Sequence, residues 1–217
     1  MTGKSKRYIP ALSFHWLTPL YDPLLKWGMR EETFKRRLIE RAGIRSGQQV
    51  LDLGCGTGTL TLMLKQAIPG ANVTGLDGDP EVLSIARSKS EQTHADITWD
   101  EGLAYKLPYP DQSFDVVLSS LVVHHLTSEN KVHAFREVRR VLQPAGGFHI
   151  VDFGRPFSPL TRLQAAVMKN LEQAADNFSG RIAPMLQEAG FGSVSEAEKF
   201  NTIFGPIWFY QALKSKG

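Results

Sequence analysis

The sequence has very little cysteine and no long apolar run. Its 217 residues include a single cysteine, Cys55, so neither a disulfide nor a metal site of several cysteines can form within the chain. No apolar run approaches the length that a membrane-spanning helix needs. We therefore predict a cytoplasmic protein, since disulfides are rare in that compartment. Residues 4–12 resemble a signal peptide only weakly, because Pro10, His15 and Trp16 interrupt the apolar stretch.

Net charge is also small, but it is unevenly distributed. Apolar residues make up 42% of the chain and charged residues 22%, which is typical of a globular protein, and the length fits one domain. The net charge is +3, yet residues 1–50 hold 10 Lys/Arg against 4 Asp/Glu, which gives +6 there and −3 in the remainder. Solvated helix charge and contact with an anionic substrate or membrane surface both explain this basic end.

The glycine-rich stretch Val50–Gly58 lacks the spacing of the common phosphate-binding loops. A short apolar run ends there in Gly54, Gly56 and Gly58, and a helical pattern follows. A dinucleotide fingerprint would need a glycine at Thr59, and a phosphate loop would end in Gly-Lys-Ser/Thr. The pattern predicts a strand, a tight loop and a helix, with a backbone that a ligand can approach closely.

Beyond this loop, strands alternate with helices along the chain. The predicted strands are about 73–76, 97–100, 114–118 and 148–151, and a final pair at about 194–200 and 207–213. The alternation predicts a Rossmann-like, doubly wound sheet that is mostly parallel. The final pair is joined through Gly205–Pro206, which predicts a C-terminal antiparallel hairpin.

An acidic residue follows the second predicted strand. Asp77 lies 19 residues beyond Gly58. A carboxylate at this position can accept both ribose hydroxyls of an adenosine, although an ordinary turn acid remains an alternative. Asp79 is predicted to cap the next helix, with Pro80 in its first turn, and Ser128 to cap the helix after the fourth strand.

Residues 48–153 resemble the S-adenosylmethionine (SAM) binding core of class I methyltransferases, nearest to the UbiE-like group that acts on small molecules. The resemblance is carried, in the family's order, by Val50–Gly58, Val73–Asp77, Leu107–Val117 and Val141–Gly147. The closing Glu188–Phe191 and the terminal hairpin also resemble that family. The resemblance implies seven strands, five of them parallel neighbours, and SAM as the cofactor.

The same resemblance implies a set of cofactor contacts. These are Tyr21, Asp52, Gly54, Cys55, Gly56, Gly58, Asp77, Gly78, Leu103, Ala104 and Ser119. The glycines would contact the methionine part and the ribose, Asp52 would orient the loop, and Ser119 would touch the amino acid end. Where the family commonly has an adenine-binding Asp, this chain has Leu103, so backbone groups of Leu103 and Ala104 would contact the adenine edge.

The chemistry requires few dedicated side chains. Methyl transfer is an in-line displacement, and it needs a base only when the acceptor still carries a proton. His124 and His125 follow the fourth strand and are the candidate bases, with His125 favoured; the alternative is that either ring caps a helix or packs beneath the pocket. Adjacent histidines without an acidic cluster predict no metal site. Ser119–Val122 replaces the Asn/Asp-Pro-Pro-Tyr of base-modifying enzymes, which predicts no nucleic-acid substrate.

We therefore predict a methyltransferase that moves the methyl group of SAM to an O, N or C atom of a small, lipophilic acceptor. The predicted parts of its single domain are an N-terminal helical cover (1–46), a SAM-binding core (47–154), a helical lid (155–180) and a C-terminal helix and hairpin (181–217). Residues 8–28 and 157–178 would form the lid over the acceptor. A catalytically silent SAM-binding protein and a nicotinamide-dependent oxidoreductase remain alternatives, and the sequence does not predict the oligomeric state.

Overall fold

The computed structural model describes residues 31–168 and 173–216. Its strands are β1 (Gln49–Leu53), β2 (Asn72–Asp77), β3 (Thr98–Glu101), β4 (Phe114–Ser120), β5 (Leu142–Phe153), β6 (Ser193–Thr202) and β7 (Gly205–Leu213). Its α-helices are α1 (Glu31–Ala42), α2 (Thr59–Ala67), α3 (Pro80–Gln92), α4 (Ser128–Val141), α5 (Pro159–Met168), α6 (Ala175–Phe178) and α7 (Ile182–Glu188). A short 3-10 helix spans Val123–His125.

All seven strands belong to one sheet, in the order β3-β2-β1-β4-β5-β7-β6. The strands β3, β2, β1, β4 and β5 pair in parallel, whereas β7 pairs antiparallel with both β5 and β6. The predicted mostly parallel sheet with a C-terminal antiparallel hairpin is therefore confirmed. The third strand begins and ends one residue later than predicted.

The central strands are buried on both faces, which explains why they are almost continuously apolar. Along β1 the side chains alternate: Val50 packs in one core cluster with Phe34 and Leu38 of α1, and Leu51 packs in the other with Phe135 of α4. All five side chains are at most 2% exposed. The helices thus cover both faces and leave the ends of the strands as the open edge.

The chain order places a crevice between β1 and β4. From β1 the chain proceeds outward to β2 and β3, and it then returns to β4 and continues outward on the other side to β5. In open parallel sheets the carboxyl edge at such a reversal is where ligands bind. The glycine loop after β1 and the histidine turn after β4 both lie at this edge.

Several local predictions differ from the structure. The cap of α4 is Thr127, whose Oγ1 accepts a hydrogen bond from the Asn130 amide at 3.2 Å, so the prediction of Ser128 is wrong by one residue. The Ser128 hydroxyl instead donates to the Asp176 carboxylate at 2.5 Å. The predicted cap of α3 is confirmed, since Asp79 accepts from the Glu81 amide at 2.9 Å.

Some predictions lie outside the described residues. These are the placement of Tyr21 and Trp16, the cover formed by residues 8–28, and the part of the proposed lid at 169–172. Among the residues that are described, no helix is long and apolar enough to cross a membrane.

Candidate active site

The glycine loop after β1 makes a tight turn that only glycine adopts readily. Gly54, Gly56 and Gly58 have φ values of 70°, 52° and 77°, in the left-handed region. The turn is held to the next strand because the amides of Gly54 and Cys55 both donate to the Leu76 carbonyl, at 2.7 and 3.0 Å. The loop is therefore fixed in shape before any ligand arrives.

Asp77 closes the loop from the neighbouring strand. Its Oδ2 accepts from the Gly56 amide at 2.8 Å, and its Oδ1 accepts from the Asp79 amide at 3.0 Å. Burial raises the pKa of Asp77, although these backbone hydrogen bonds oppose the shift. A carboxylate has about four lone-pair positions, so each oxygen can still accept from a ribose hydroxyl. Gly78 follows directly and is half-buried.

Trp99 forms the floor beneath the loop. Its indole lies very close to two glycines. A Cβ on Gly58 would be 2.6 Å from the ring, and a Cβ on Gly75 would be 2.5 Å from it. The Cys55 side chain packs against the same ring in a small apolar cluster, and burial raises the pKa of its thiol. Cys55 can therefore face a cofactor only through its backbone. The indole N–H donates to Ser90 Oγ at 3.0 Å, which fixes the ring on α3.

Asp52 lies below the loop and not at its surface. The residue is 1% exposed, and its carboxylate accepts from Thr61 Oγ1 of α2 at 2.6 Å. Burial raises the pKa of Asp52 to about 6, which the Thr61 hydrogen bond only partly offsets. Asp52 thus ties the end of β1 to the first turn of α2, as a residue that orients the loop must do. Its predicted contact with the amino acid end of the cofactor stays a prediction.

The open side of the loop is at Gly56, next to Asp77. A Cβ built on Gly56 would meet no atom within 4 Å, whereas one on Gly54 would lie 2.5 Å from Val122. Gly56 therefore offers a free backbone surface beside a carboxylate that can accept two hydroxyls. This combination fits the ribose of an adenosine, and so the residues present fit SAM.

The loop after β3 borders the other side of this opening. Leu103 and Ala104 are half-buried, and the Leu103 carbonyl accepts from the Lys106 amide at 2.9 Å within a tight turn. The loop is anchored to α4, because Glu137 accepts from the Leu107 amide and Arg140 donates to the Leu107 carbonyl. The predicted adenine contacts of Leu103 and Ala104 remain predictions, on a loop that is firmly held.

At the end of β4, the hydroxyl of Ser119 is directed into the protein. Ser119 is 0% exposed, and its Oγ donates to the Leu53 carbonyl at 3.3 Å. It therefore ties β4 to the end of β1 just before the glycine loop. Its proposed contact with the amino acid end of SAM is not tested by this geometry and stays a prediction.

The turn that carries both histidines packs directly on the glycine loop. The close approach of Val122 to Gly54 places the start of residues 122–125 against the glycine loop. The rings of His124 and His125 lie in contact, with centroids 4.0 Å apart. The rings of His124 and Phe153 make an edge-to-face contact, with centroids 4.8 Å apart. His124 is 5% exposed, whereas His125 is half-buried.

The structure adds an acidic partner for His124 that the sequence analysis did not single out. His124 Nδ1 lies 2.8 Å from Oδ1 of Asp152, near the end of β5. Asp152 is fully buried, and its Oδ2 accepts from the amides of Val122, Val123 and His124 at 3.1, 2.8 and 3.4 Å. Burial disfavours the charge, but the neighbouring His124 and the Phe153 amide outweigh it and lower the pKa of Asp152. The only sequence signal was an acid at the end of an apolar strand.

A second group of residues behind Asp152 was also missed. Asn177 of α6 is 0% exposed, and its Nδ2 donates to Asp152 Oδ1 and to the Phe153 carbonyl, both at 3.2 Å. Its neighbour Asp176 accepts from Ser128 Oγ at 2.5 Å and lies 3.4 Å from Lys131 Nζ. Burial lowers the pKa of Lys131, which is 0% exposed. These residues hold α6 against α4 and against the histidine turn.

Comparisons with known proteins identify the family and the fold. A family model described as a methyltransferase domain matches residues 50–146. The uncharacterized methyltransferase sll0829 of Synechocystis is 36% identical over 164 residues, which cover 74% of each chain. The ubiquinone/menaquinone biosynthesis C-methyltransferase UbiE of Pectobacterium carotovorum is 31% identical over 190 residues, covering 85% of this chain and 70% of that protein. In fold, a Haemonchus contortus N-methyltransferase solved with S-adenosylhomocysteine superposes with a TM-score of 0.75 at 18% identity, over 93% of this chain and 58% of that one.

The sheet, the glycine loop and Asp77 define a class I SAM-dependent methyltransferase. The chain belongs to the UbiE-like group of that family, and SAM is its cofactor. The alternative of a nicotinamide-dependent oxidoreductase is not supported by any of these relatives. Within residues 31–168 and 173–216, no group of three or more His, Cys, Asp or Glu side chains could hold a metal ion.

Proposed function

We propose that the enzyme methylates an O, N or C atom of a small, lipophilic acceptor and that His124 removes the acceptor's proton. The observation that carries this proposal is the 2.8 Å contact between His124 Nδ1 and the buried Asp152, on a turn that packs against the cofactor loop. A histidine oriented by a carboxylate is the usual arrangement of a general base. Because ionised Asp152 can only accept, it selects the tautomer with hydrogen on Nδ1 and leaves the lone pair on Nε2.

The lipophilic character of the acceptor is supported by α5. Three large apolar side chains lie on its outward face, Leu160 (56% exposed), Leu163 (66%) and Val167 (59%), whereas Thr161 and Ala165 face the protein. An apolar face that is turned away from the core marks a surface for an apolar partner. The helix follows β5 and so begins near the carboxyl edge of the sheet, the edge that carries the glycine loop.

The name of the Pectobacterium relative adds the chemical class. That relative is a C-methyltransferase of ubiquinone and menaquinone biosynthesis. We propose an acceptor of similar kind here, an aromatic ring with an ionisable hydroxyl and an apolar substituent. Loss of the hydroxyl proton to His124 would make either the oxygen or the adjacent ring carbon nucleophilic, so this proposal leaves the methylated atom open. The lid over the acceptor, the single-domain organisation and the cytoplasmic location likewise stay predictions.

The test is a turnover screen with labelled SAM against lipophilic phenols, quinols and amines. For any acceptor that is methylated, His124→Gln should lower kcat by about a hundredfold, because a positioned base contributes on the order of 10² to 10⁴. The matched control is His125→Gln, which changes the adjacent ring in the same turn and keeps the imidazole of His124 beside Asp152. Affinity for S-adenosylhomocysteine should be unchanged in both variants.

Three outcomes would contradict parts of the proposal. If His125→Gln has the larger effect, His125 is the base and the sequence-based preference for it was right. If both variants keep normal kcat, neither histidine accepts the proton. If S-adenosylhomocysteine binds but none of the three acceptor classes is methylated, the chain behaves as a catalytically silent SAM-binding protein.

A further inference from the structure

Asp152 is the point at which three parts of the fold meet at the candidate base. It belongs to β5, it binds the backbone and ring of the histidine turn, and it accepts from Asn177 of α6. Its Oδ1 receives three donors, the Phe153 amide at 2.7 Å, His124 Nδ1 at 2.8 Å and Asn177 Nδ2 at 3.2 Å. The direction in which this oxygen points decides where the His124 ring lies.

We propose that Asn177 is a positioning residue that acts on His124 through Asp152. The Asn177 amide donates both to Asp152 Oδ1 and to the Phe153 carbonyl, so it links the carboxylate to the backbone of its own strand. Besides the imidazole, Oδ1 accepts from the Phe153 amide and from Asn177, which is the only side chain of the two. A carboxylate oxygen held in this way keeps one direction, and the imidazole that donates to it keeps one orientation. The inference rests on the proposed role of His124 as the base.

The orientation of the Asn177 amide follows from its neighbours. Both atoms within reach of Nδ2 are acceptors, a carboxylate oxygen and a carbonyl oxygen, so the nitrogen must face them. Its Oδ1 has no partner among the described residues. A buried acceptor without a partner is costly, and a hydrophobic side chain of similar shape would avoid that cost. The presence of an amide here is therefore better explained by what its N–H groups do for Asp152.

The helix that carries Asn177 is itself rigidly held. Lys131 Nζ donates to the Gln173 carbonyl at 2.7 Å and lies 3.4 Å from Asp176, which also accepts from Ser128. Both charges are almost fully buried, where an ion pair in good geometry resists separation. The four-residue helix α6 is too short to hold Asn177 in place by itself. These contacts with α4 fix its position.

The experiment compares Asn177→Leu with Ser128→Ala in the full chain. Leu has a similar shape to Asn but cannot donate to Asp152, and Ser128→Ala removes a hydrogen bond to the same helix without touching Asp152. The readouts are the thermal unfolding temperature, the ¹⁵N shifts of the His124 imidazole, assigned by their loss in His124→Gln, and kcat and KM. Both variants are expected to unfold at lower temperature.

Only Asn177→Leu is expected to change the imidazole signals, from one tautomer to a mixture, and to lower kcat by about tenfold with KM for SAM within about twofold. Ser128→Ala should keep the wild-type signals and kcat, because Lys131 still binds Asp176 and the Gln173 carbonyl and holds α6 in place. Asn177→Ser retains a donor in a smaller side chain, and it should show the same changes to a lesser degree if the Leu variant does not fold. Unchanged imidazole signals in the folded variants, or equal changes in Ser128→Ala, would overturn the proposal. The imidazole signals do not depend on turnover, so they test the positioning even if His124 proves not to be the base.

Discussion

Replacing Asp77 with alanine should weaken the binding of S-adenosylhomocysteine by roughly ten- to a few hundredfold. The carboxylate is predicted to accept the ribose hydroxyls, and a hydrogen bond to a charged group contributes about 1.5–3 kcal/mol, of which every 1.4 kcal/mol is tenfold in affinity. The structure adds a second effect. Asp77 also accepts from the Gly56 amide at 2.8 Å, so its loss frees the one glycine of the loop that faces open space.

The assay is isothermal titration calorimetry with S-adenosylhomocysteine, alongside thermal unfolding of the unliganded variants. Asp77→Asn should be intermediate, because its amide oxygen can still accept one hydrogen bond but carries no charge. The matched control is Asp79→Ala, which removes the cap of α3 two residues further on. It should cost about 1 kcal/mol of stability with little change in affinity.

An unchanged dissociation constant in Asp77→Ala would refute the reasoning, because Asp77 would then be a turn residue that only shapes the loop. An equal loss of affinity in Asp79→Ala would also refute it, since the effect would then come from damage to α3 and not from the ribose contact.

Three further predictions follow from buried contacts. The folded-state pKa of Asp52 is raised from 3.8 to about 6, so ionisation of Asp52 destabilises the fold as the pH rises through that window. Relative to the wild type, Asp52→Asn should therefore gain up to about 3 kcal/mol of stability between pH 4 and pH 7, measured by urea unfolding. A difference that does not depend on pH would contradict this. Gly54→Ala should abolish binding of S-adenosylhomocysteine, because the added Cβ would lie 2.5 Å from Val122. Adding Val122→Ala should restore part of the binding, measured by calorimetry. No restoration would show that the positive φ of Gly54 alone causes the loss. Lys131→Met should lower the free energy of unfolding by up to about 3–5 kcal/mol, because it removes the buried cation beside Asp176. Adding Asp176→Asn should recover part of that loss, and additive losses in urea unfolding would show that the two do not interact.

The sheet and the cofactor loop could be predicted because their signals are local. The three glycines, the apolar run before them and the acid at position 77 lie within 30 residues of one another, and each has a direct backbone consequence. The parallel order of five strands follows from the alternation of strands with helices. The antiparallel position of β7 came from the family resemblance together with the turn at Gly205.

The partners of the histidines could not be predicted, because they come from distant parts of the chain. Asp152 is 28 residues from His124, and Asn177 a further 25. Only the folded sheet brings the end of β5 beside the turn after β4. The preference for His125 over His124 was made without this information, and it stays a prediction.

One smaller error has the same origin. Thr127 and Ser128 are both common cap residues by type, and the tertiary contact of Ser128 with Asp176 accompanies the choice of Thr127. The hydrogen bond from the Ser119 hydroxyl to the Leu53 carbonyl likewise depends on the pairing of β4 with β1, whereas the contact of Ser119 with the cofactor stays a prediction.

The position of β7 has a consequence for how the chain folds as it is synthesised. β7 follows β6 in the sequence, yet it lies between β5 and β6 in the sheet. Until residues 205–213 leave the ribosome, β5 has an unpaired edge and β6 has no strand to join. Unpaired strand edges in a nascent chain promote aggregation. We therefore expect premature termination between β6 and β7 to be far more damaging to solubility than its small loss of mass suggests.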